Sequence, residues 1–163
     1  IVVRGKVLVG PNAIAGEWGH NPLPWPTDDE RPGAHCFCGH SGCIETFLSG
    51  PGLERDHFSA TGERLTSVDI EARAERGDVG CEQAIRRYEQ RLARALAQVI
   101  NVLDPDTIVL GGGMSNMQRL YAAVPALWAD WVFADRVDTS LVRNAHGDSS
   151  GVRGAAWLWP DDG

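Results

Sequence analysis

The sequence has no charge-free apolar run near the roughly 18 to 20 residues that a membrane-spanning helix needs, and it does not open on a charged segment, an apolar stretch and a small-residue cleavage site. The expectation is a soluble, cytoplasmic protein with no membrane partner. Positive charge is also short, with a net charge of -7 and a pI near 5.1. An acidic surface repels phosphate backbones, so nucleic acid is not expected as a partner of this domain. Neither the spaced dinucleotide fingerprint nor the lysine-bearing phosphate loop occurs, and no glycine-flanked serine elbow supports His146, Asp148, Ser149 and Ser150 as a catalytic set. Ser149 reads more simply as a helix N-cap. Internal repeats and low-complexity tracts are missing, and so is an initiator methionine. The chain opens at Ile1 inside what reads as a hairpin, so a fragment of a longer polypeptide is expected.

What is present fits one domain: 163 residues, 43% hydrophobic, enough for a core without disulfides. Ile1–Gly10 reads as two strands joined by a tight turn at Arg4-Gly5. A glycine-punctuated connection, Pro11–Gly19, leads into Asn21–Ala34, a loop whose Pro22, Pro24, Pro26 and Pro32 bar helix and central strand. A helix is expected from Ile44, ended by Gly50-Pro51-Gly52, and another from Ser67, with Thr66 and Asp69 as its capping box. The clearest helix runs from Val79 to Leu103. Ile85, Tyr88, Leu92, Leu96, Val99, Ile100 and Leu103 form its apolar face, and Glu82, Arg86, Arg87, Glu89, Arg91 and Arg94 the other. Asp104-Pro105 stops it. Thr107–Leu110 reads as a strand covered on both faces, Asn116–Trp131 as a helix, Thr139–Val142 as a strand, and Ala155, Ala156, Trp157 and Leu158 lie in a last helix. This order predicts an α/β fold with helices on the faces of a mixed sheet.

Four cysteines are present, three of them at Cys36, Cys38 and Cys43. A Cys36–Cys38 disulfide would be strained, whereas Cys-x-Cys-x₄-Cys broken by Gly39 and Gly42 folds round one ion, and zinc is the metal expected. His20, His35 and His40 are candidates for the fourth ligand. His20 is favoured because it arrives from a separate segment, whereas His35 and His40 neighbour ligands within the tight loop. Three thiolates and an imidazole leave no open position, so the zinc would be structural. Cys81 is assigned to packing. The metal loop, 20–45, brings Glu45 toward Glu17, and two carboxylates with an imidazole suit the hydroxyls of a polyol. Gly111, Gly112 and Gly113 follow the expected strand. Without Cβ atoms they let a base or phosphate approach the backbone, ahead of a helix N-terminus that favours negative charge.

Gly16-Glu17-Trp18-Gly19-His20 followed by Cys36-x-Cys38-Gly39-x-x-Gly42-Cys43-x-Glu45 resembles the ROK family of bacterial sugar kinases and repressors. Asp104-Pro105, Ile108–Gly113 and Asp148–Ala156 resemble that family's later motifs in the same order. Pro11–Trp25, with Trp18 where glucokinases usually carry an aliphatic residue, is most similar to the fructokinases of the manno(fructo)kinase type. The resemblance implies an actin-like, ribonuclease-H-like fold with 1–163 as a C-terminal domain. It implies zinc on His20, Cys36, Cys38 and Cys43, sugar contacts from Glu17, His20 and Glu45, and nucleotide contacts from Gly111, Gly112 and Gly113. The implied activity is Mg²⁺- and ATP-dependent phosphorylation of a hexose, D-fructose first, with glucose, mannose or N-acetylglucosamine as alternatives. The family's Asp-x-Gly-Gly-Thr segment and catalytic aspartate are expected upstream of Ile1, so the chain alone would not phosphorylate. A sugar-sensing domain of a repressor is the alternative function. A homodimer is expected, as in relatives, with Trp128, Trp131, Trp157 and Trp159 too many to bury.

Overall fold

A computed structural model describes residues 1–147 and 149–156. Its elements in chain order are β1 (Val2–Val3), β2 (Lys6–Val7), α1 (Ile44–Phe47), α2 (Gly50–Thr61), α3 (Ser67–Glu75), α4 (Val79–Leu103), β3 (Thr107–Leu110), α5 (Leu120–Trp128), β4 (Ser140–Arg143) and α6 (Ser150–Ala156). Single 3₁₀ turns at Trp18–His20, Asp28–Glu30 and Gly113–Asn116 punctuate the loops. Asp148, Trp157, Leu158 and Trp159, named above, lie outside the described residues.

Helix α4 is the spine. The Asp78 side chain accepts the Cys81 N–H at 3.0 Å and so caps its start. Its end comes at Asp104, whose positive φ of 44° turns the chain out ahead of Pro105. Cys81, Ala84, Ile85, Tyr88, Leu92, Leu96 and Ile100 are buried along it, packed against Leu53 of α2, Ile70 of α3 and Leu120, Val124 and Trp128 of α5. At roughly 1.5 to 3 kcal/mol for each large apolar side chain fully buried, this cluster is the main stabilising term. Cys81 is a packing residue, with its Sγ 3.5 Å from Nε2 of the buried His57.

The expected polar face of α4 is only partly solvated: Arg86 is exposed, and Glu82 and Arg87 are half-buried. Glu89, Arg91 and Arg94 are buried, because α2, α5 and the proline-rich loop cover that side and supply a partner for each charge. Other boundaries also differ. Gly50-Pro51-Gly52 begins α2 instead of ending a helix: Ser49 Oγ accepts the Gly52 N–H at 3.1 Å, and proline is at home in a first turn, where its missing N–H would have no partner. Gly52 is required there, since a Cβ would sit 2.6 Å from the Phe47 carbonyl oxygen. The helix expected over Asn116–Trp131 is confined to α5, which starts only after the 3₁₀ turn.

In place of a single mixed sheet, the described residues form two two-stranded sheets. The hairpin β1–β2 is antiparallel, closed by Arg4 and Gly5, both at positive φ. Strands β3 and β4 are parallel, with Thr107 opposite Ser140 and Leu110 opposite Arg143. Strand β3 is not covered on both faces: Val109 is 57% exposed, because its outer face meets no helix among the described residues. Trp128 is buried and needs no partner, while Trp131 is stacked on Trp25 with centroids 5.2 Å apart.

Candidate metal centre and its carboxylates

The thiol loop folds on backbone bonds of its own. The Cys36 N–H donates to the His40 carbonyl at 2.8 Å and the Gly39 N–H to the Cys36 carbonyl at 3.0 Å, with Gly39 and Gly42 supplying the two positive-φ positions. Its far side is stitched to the segment that follows His20, through the Leu23 N–H to the Gly42 carbonyl at 3.0 Å and the Ile44 N–H to the Asn21 carbonyl at 2.9 Å. Gly33 closes the other side: a Cβ there would meet Gly42 Cα at 2.6 Å, so loop and knuckle touch backbone to backbone.

One ligand atom from each of His20, Cys36, Cys38 and Cys43 falls within 4.8 Å of the others. Cys36 Sγ lies 3.6 Å from His20 Nδ1, and Cys38 Sγ lies 3.6 Å from Cys43 Sγ. A zinc tetrahedron with metal–ligand bonds of about 2.0 Å to nitrogen and 2.3 Å to sulfur has edges of about 3.5 to 3.8 Å, so these two pairs match its spacing and the donor set fits zinc in chemistry. His35 is exposed and stands outside the group, whereas His40 lies 3.5 Å from Cys38 Sγ through Nδ1.

The three thiols differ. Cys36 donates its proton to Glu45 Oε1 at 2.9 Å, and that bond pushes its pKa up to about 12. Cys38 is drawn down to about 6 by the His40 backbone N–H and then by the His40 ring, whereas burial pushes Cys43 up. Zinc takes thiolates, so filling the site means displacing protons from Cys36 and Cys43.

The same constellation gathers the carboxylates. Glu45 stands in the first turn of α1, and the Trp18–His20 turn packs so near that a Cβ on Gly19 would lie 3.5 Å from Glu45 Cβ. His20 Nδ1, on the thiol side, is 3.5 Å from Glu45 Oε1, while Nε2 is 3.8 Å from Glu17 Oε2. One ring therefore presents Nδ1 to the thiols and Glu45, and Nε2 to the exposed Glu17. Phe37 sets its ring perpendicular to that imidazole, with centroids 4.9 Å apart.

Gly111, Gly112 and Gly113 are elsewhere, at the carboxyl end of β3. Gly111 lines a cavity of about 810 Å³ together with Gly16, Trp18, Val3 and Ile108, and neither Glu17 nor Glu45 lines it. Added Cβ atoms on the three glycines would meet nothing within 4 Å, and Gly112 has φ 72°. The expected helix N-terminus does not follow them; Gly113 opens a 3₁₀ turn of four residues.

Sequence reasoning missed the clamp that holds the proline-rich loop. Glu30, 7% exposed, accepts bonds from Arg91 Nε at 2.8 Å and Arg94 Nη2 at 2.6 Å. Burial opposes its ionisation, but Arg94, Arg91 and the Thr27 N–H overcome this and lower its pKa to about 2. Arg91 also reaches Asp56 at 2.7 Å, and Arg94 donates to the Trp25 carbonyl. The available signal was Thr27-Asp28-Asp29-Glu30, a capping-box pattern in which Glu30 Oε2 accepts the Thr27 N–H at 2.9 Å.

Known proteins place this architecture. The chain is 35% identical over 162 residues to the N-acetyl-D-glucosamine kinase of Photobacterium profundum, covering 97% of this chain and 54% of that one. It thus spans about half the length of such relatives. The ROK hexokinase of Thermus thermophilus superposes with a TM-score of 0.80 at 28% identity, over 99% of this chain and 54% of that one. A ROK glucokinase from Streptomyces griseus, solved with glucose and AMPPNP, gives a TM-score of 0.82 at 24% identity, over 96% and 55% of the two chains. The fold is accordingly the α/β, actin-like ATPase type of these kinases. The leaning toward fructokinases drawn from residues 11–25 finds no support in relatives whose named sugar is N-acetylglucosamine. Residues 1–162 match the profile of one family throughout, and with sequence relatives and fold in agreement, the chain belongs to the ROK family.

Proposed function

We propose that this segment is the sugar-holding, zinc-bearing part of an ATP-dependent hexose kinase whose phosphoryl acceptor is N-acetylglucosamine or glucose. The family and the named activity of its relatives support a sugar kinase. The observation that carries the site assignment is the His20 ring, with Nδ1 beside the thiols and Nε2 beside Glu17. With zinc held by His20 and the three thiols, the ring would be fixed as the tautomer that carries its proton on Nε2, which would then donate to a sugar hydroxyl. Glu17 and Glu45 accept from neighbouring hydroxyls, and the pair orients the sugar by direction as well as by charge. Held by His20, Cys36, Cys38 and Cys43, zinc would supply rigidity alone. Gly111, Gly112 and Gly113, open above β3, are the backbone against which the nucleotide of Mg-ATP would lie. Phosphoryl transfer depends mainly on positioning and charge neutralisation, and the residues of this chain serve the first for the acceptor. No general base is assigned among them.

The experiment is a titration of the zinc-loaded chain with N-acetylglucosamine, glucose and fructose, followed by NMR at Glu17, His20 and Glu45. A coupled ADP-release assay accompanies it, on the chain and on a polypeptide of the relatives' full length. The expected result is saturable shifts with N-acetylglucosamine or glucose, and turnover by the longer polypeptide only. Absence of shifts with every hexose would overturn the sugar site. Sugar binding without turnover by the longer polypeptide would replace the kinase with a sugar sensor.

A further inference from the structure

The turn that carries Glu17 and His20 is too short to hold its own orientation. A three-residue 3₁₀ turn closes only local bonds, here the His20 N–H to the Glu17 carbonyl at 3.2 Å and the Asn21 N–H to the Trp18 carbonyl at 3.0 Å. Its two ends are tied to different bodies. The His20 end is held by the metal knuckle, through Cys43 Sγ–H to the His20 carbonyl at 3.5 Å, the Ile44 N–H to the Asn21 carbonyl at 2.9 Å, and the bridge between Pro22 and Cys43. The Glu17 end has one long-range hydrogen bond among the described residues: the Trp18 indole N–H donates to the Ala95 carbonyl of α4 at 3.2 Å.

The indole, together with Leu48, also joins two apolar clusters. It packs against the main core on α4 and against the small cluster of Leu23, Ile44 and Ala95 beneath the knuckle. Its remaining surface lines the cavity beside Leu92 and Leu96. Helix α4 is itself immobilised by its core contacts and by the Glu30 clamp. Trp18 therefore refers Glu17 to a rigid body that is independent of the metal.

We infer that Trp18 is a positioning residue for the sugar site: it sets Glu17 against His20 by fixing their turn to α4, while the zinc ligands are held by the knuckle without it. The inference rests on the proposed sugar site for its functional reading. It separates two things that a merely structural role would move together, metal binding and acceptor binding.

The test compares Trp18→Leu with Trp18→Phe, which retains a flat ring in the same slot but removes the N–H. Trp18→Leu should leave zinc affinity, measured by competition with a chromophoric chelator, within about twofold. It should raise the KM for N-acetylglucosamine in the relatives'-length polypeptide by about tenfold or more, because displacing a positioning group by an ångström is enough for such losses, with a smaller fall in kcat. Trp18→Phe should recover much of that loss. A second measurement does not depend on sugar: in the zinc-loaded chain, amide shifts and exchange at Gly16 and Glu17 should change in Trp18→Leu, while those at His20 and Cys43 stay put. Parallel loss of zinc affinity, or movement of His20 with Glu17, would overturn the inference. If the wild type binds no sugar, the functional proposal falls, and the amide measurement still decides whether Trp18 holds the Glu17 end separately.

Discussion

The segment from Asn21 to Cys43 carries no α-helix or named strand, only one 3₁₀ turn, whereas the segments at 1–10 and 107–110 carry β1, β2 and β3. They differ in how they are held. The first is fastened at Glu30 by two arginines of α4, at Gly33 by backbone contact with Gly42, and at its end by thiols disposed for a metal. The second stands open: Val2, Val7 and Val109 are 66%, 71% and 57% exposed, and among the described residues each strand pairs with one neighbour only. Irregular backbone is thus compatible with a firm site when its polar groups are buried and matched. Regular pairing, conversely, confers little firmness on a two-stranded sheet. The chemistry-bearing side chains Cys36, Cys43, Glu45 and His20 all belong to the fastened region or its margin.

The comparison can be broken most severely through the metal. Chelation removes a binding free energy on the order of 10 kcal/mol in favourable cases, so hydrogen exchange should accelerate first across 20–45 and leave α4 protected. Exchange rising equally in β1 and β2 would show that the loop owes nothing particular to zinc. Next comes Glu30→Gln, which takes the only carboxylate from buried Arg94 and one of two from Arg91 among the described residues, and should lower unfolding free energy in denaturant titrations by about 3 kcal/mol. A loss under about 1 kcal/mol would mean that the clamp is ornamental.

A pH series sharpens the same point. The Glu30 carboxyl sits near 2 in the folded chain against an ordinary 4.5. The stability it contributes is therefore complete above about pH 4.5 and disappears as pH falls toward 2, a change of up to about 3 kcal/mol. In Glu30→Gln the steepness of acid unfolding through that window should diminish, and an unchanged profile would assign acid lability to other carboxylates. The smallest effect belongs to the open region: Val7→Thr and Val109→Thr should each change stability by less than about 0.5 kcal/mol. Losses near those of core substitutions would show that these faces are covered in solution.

Much of the frame was legible. Helix α4 was bounded correctly from its period and from Asp104-Pro105, the start of α3 from Thr66 and Asp69, and the hairpin from Arg4-Gly5, because each signal is local. The gathering of Cys36, Cys38 and Cys43 was legible too, since their spacing suits the geometry a metal would impose, and His20 is favoured among three histidines because it arrives from a separate segment. The burial of Arg91 and Arg94 was not. Their partner Glu30 lies 61 and 64 residues away, and helical periodicity registers charge as exposure. Nor could residue pattern show that Trp18 reaches across 77 residues to a helix carbonyl, or that Gly50-Pro51-Gly52 starts a helix. Both depend on which surface happens to lie opposite.

The contact between Gly33 and Gly42 bears on how a saturation mutagenesis map of this chain would read. Gly33 has φ 76° and no room for a methyl group, and a Cβ on Gly42, also at φ 76°, would lie 2.8 Å from the Pro32 carbonyl oxygen. Every substitution at either position should therefore score as harshly as replacing a cysteine of the knuckle, although neither glycine offers a donor atom to metal or sugar. Intolerance alone would place these two glycines in the active machinery, and zinc content measured beside fitness is what would tell a shape requirement from a chemical one.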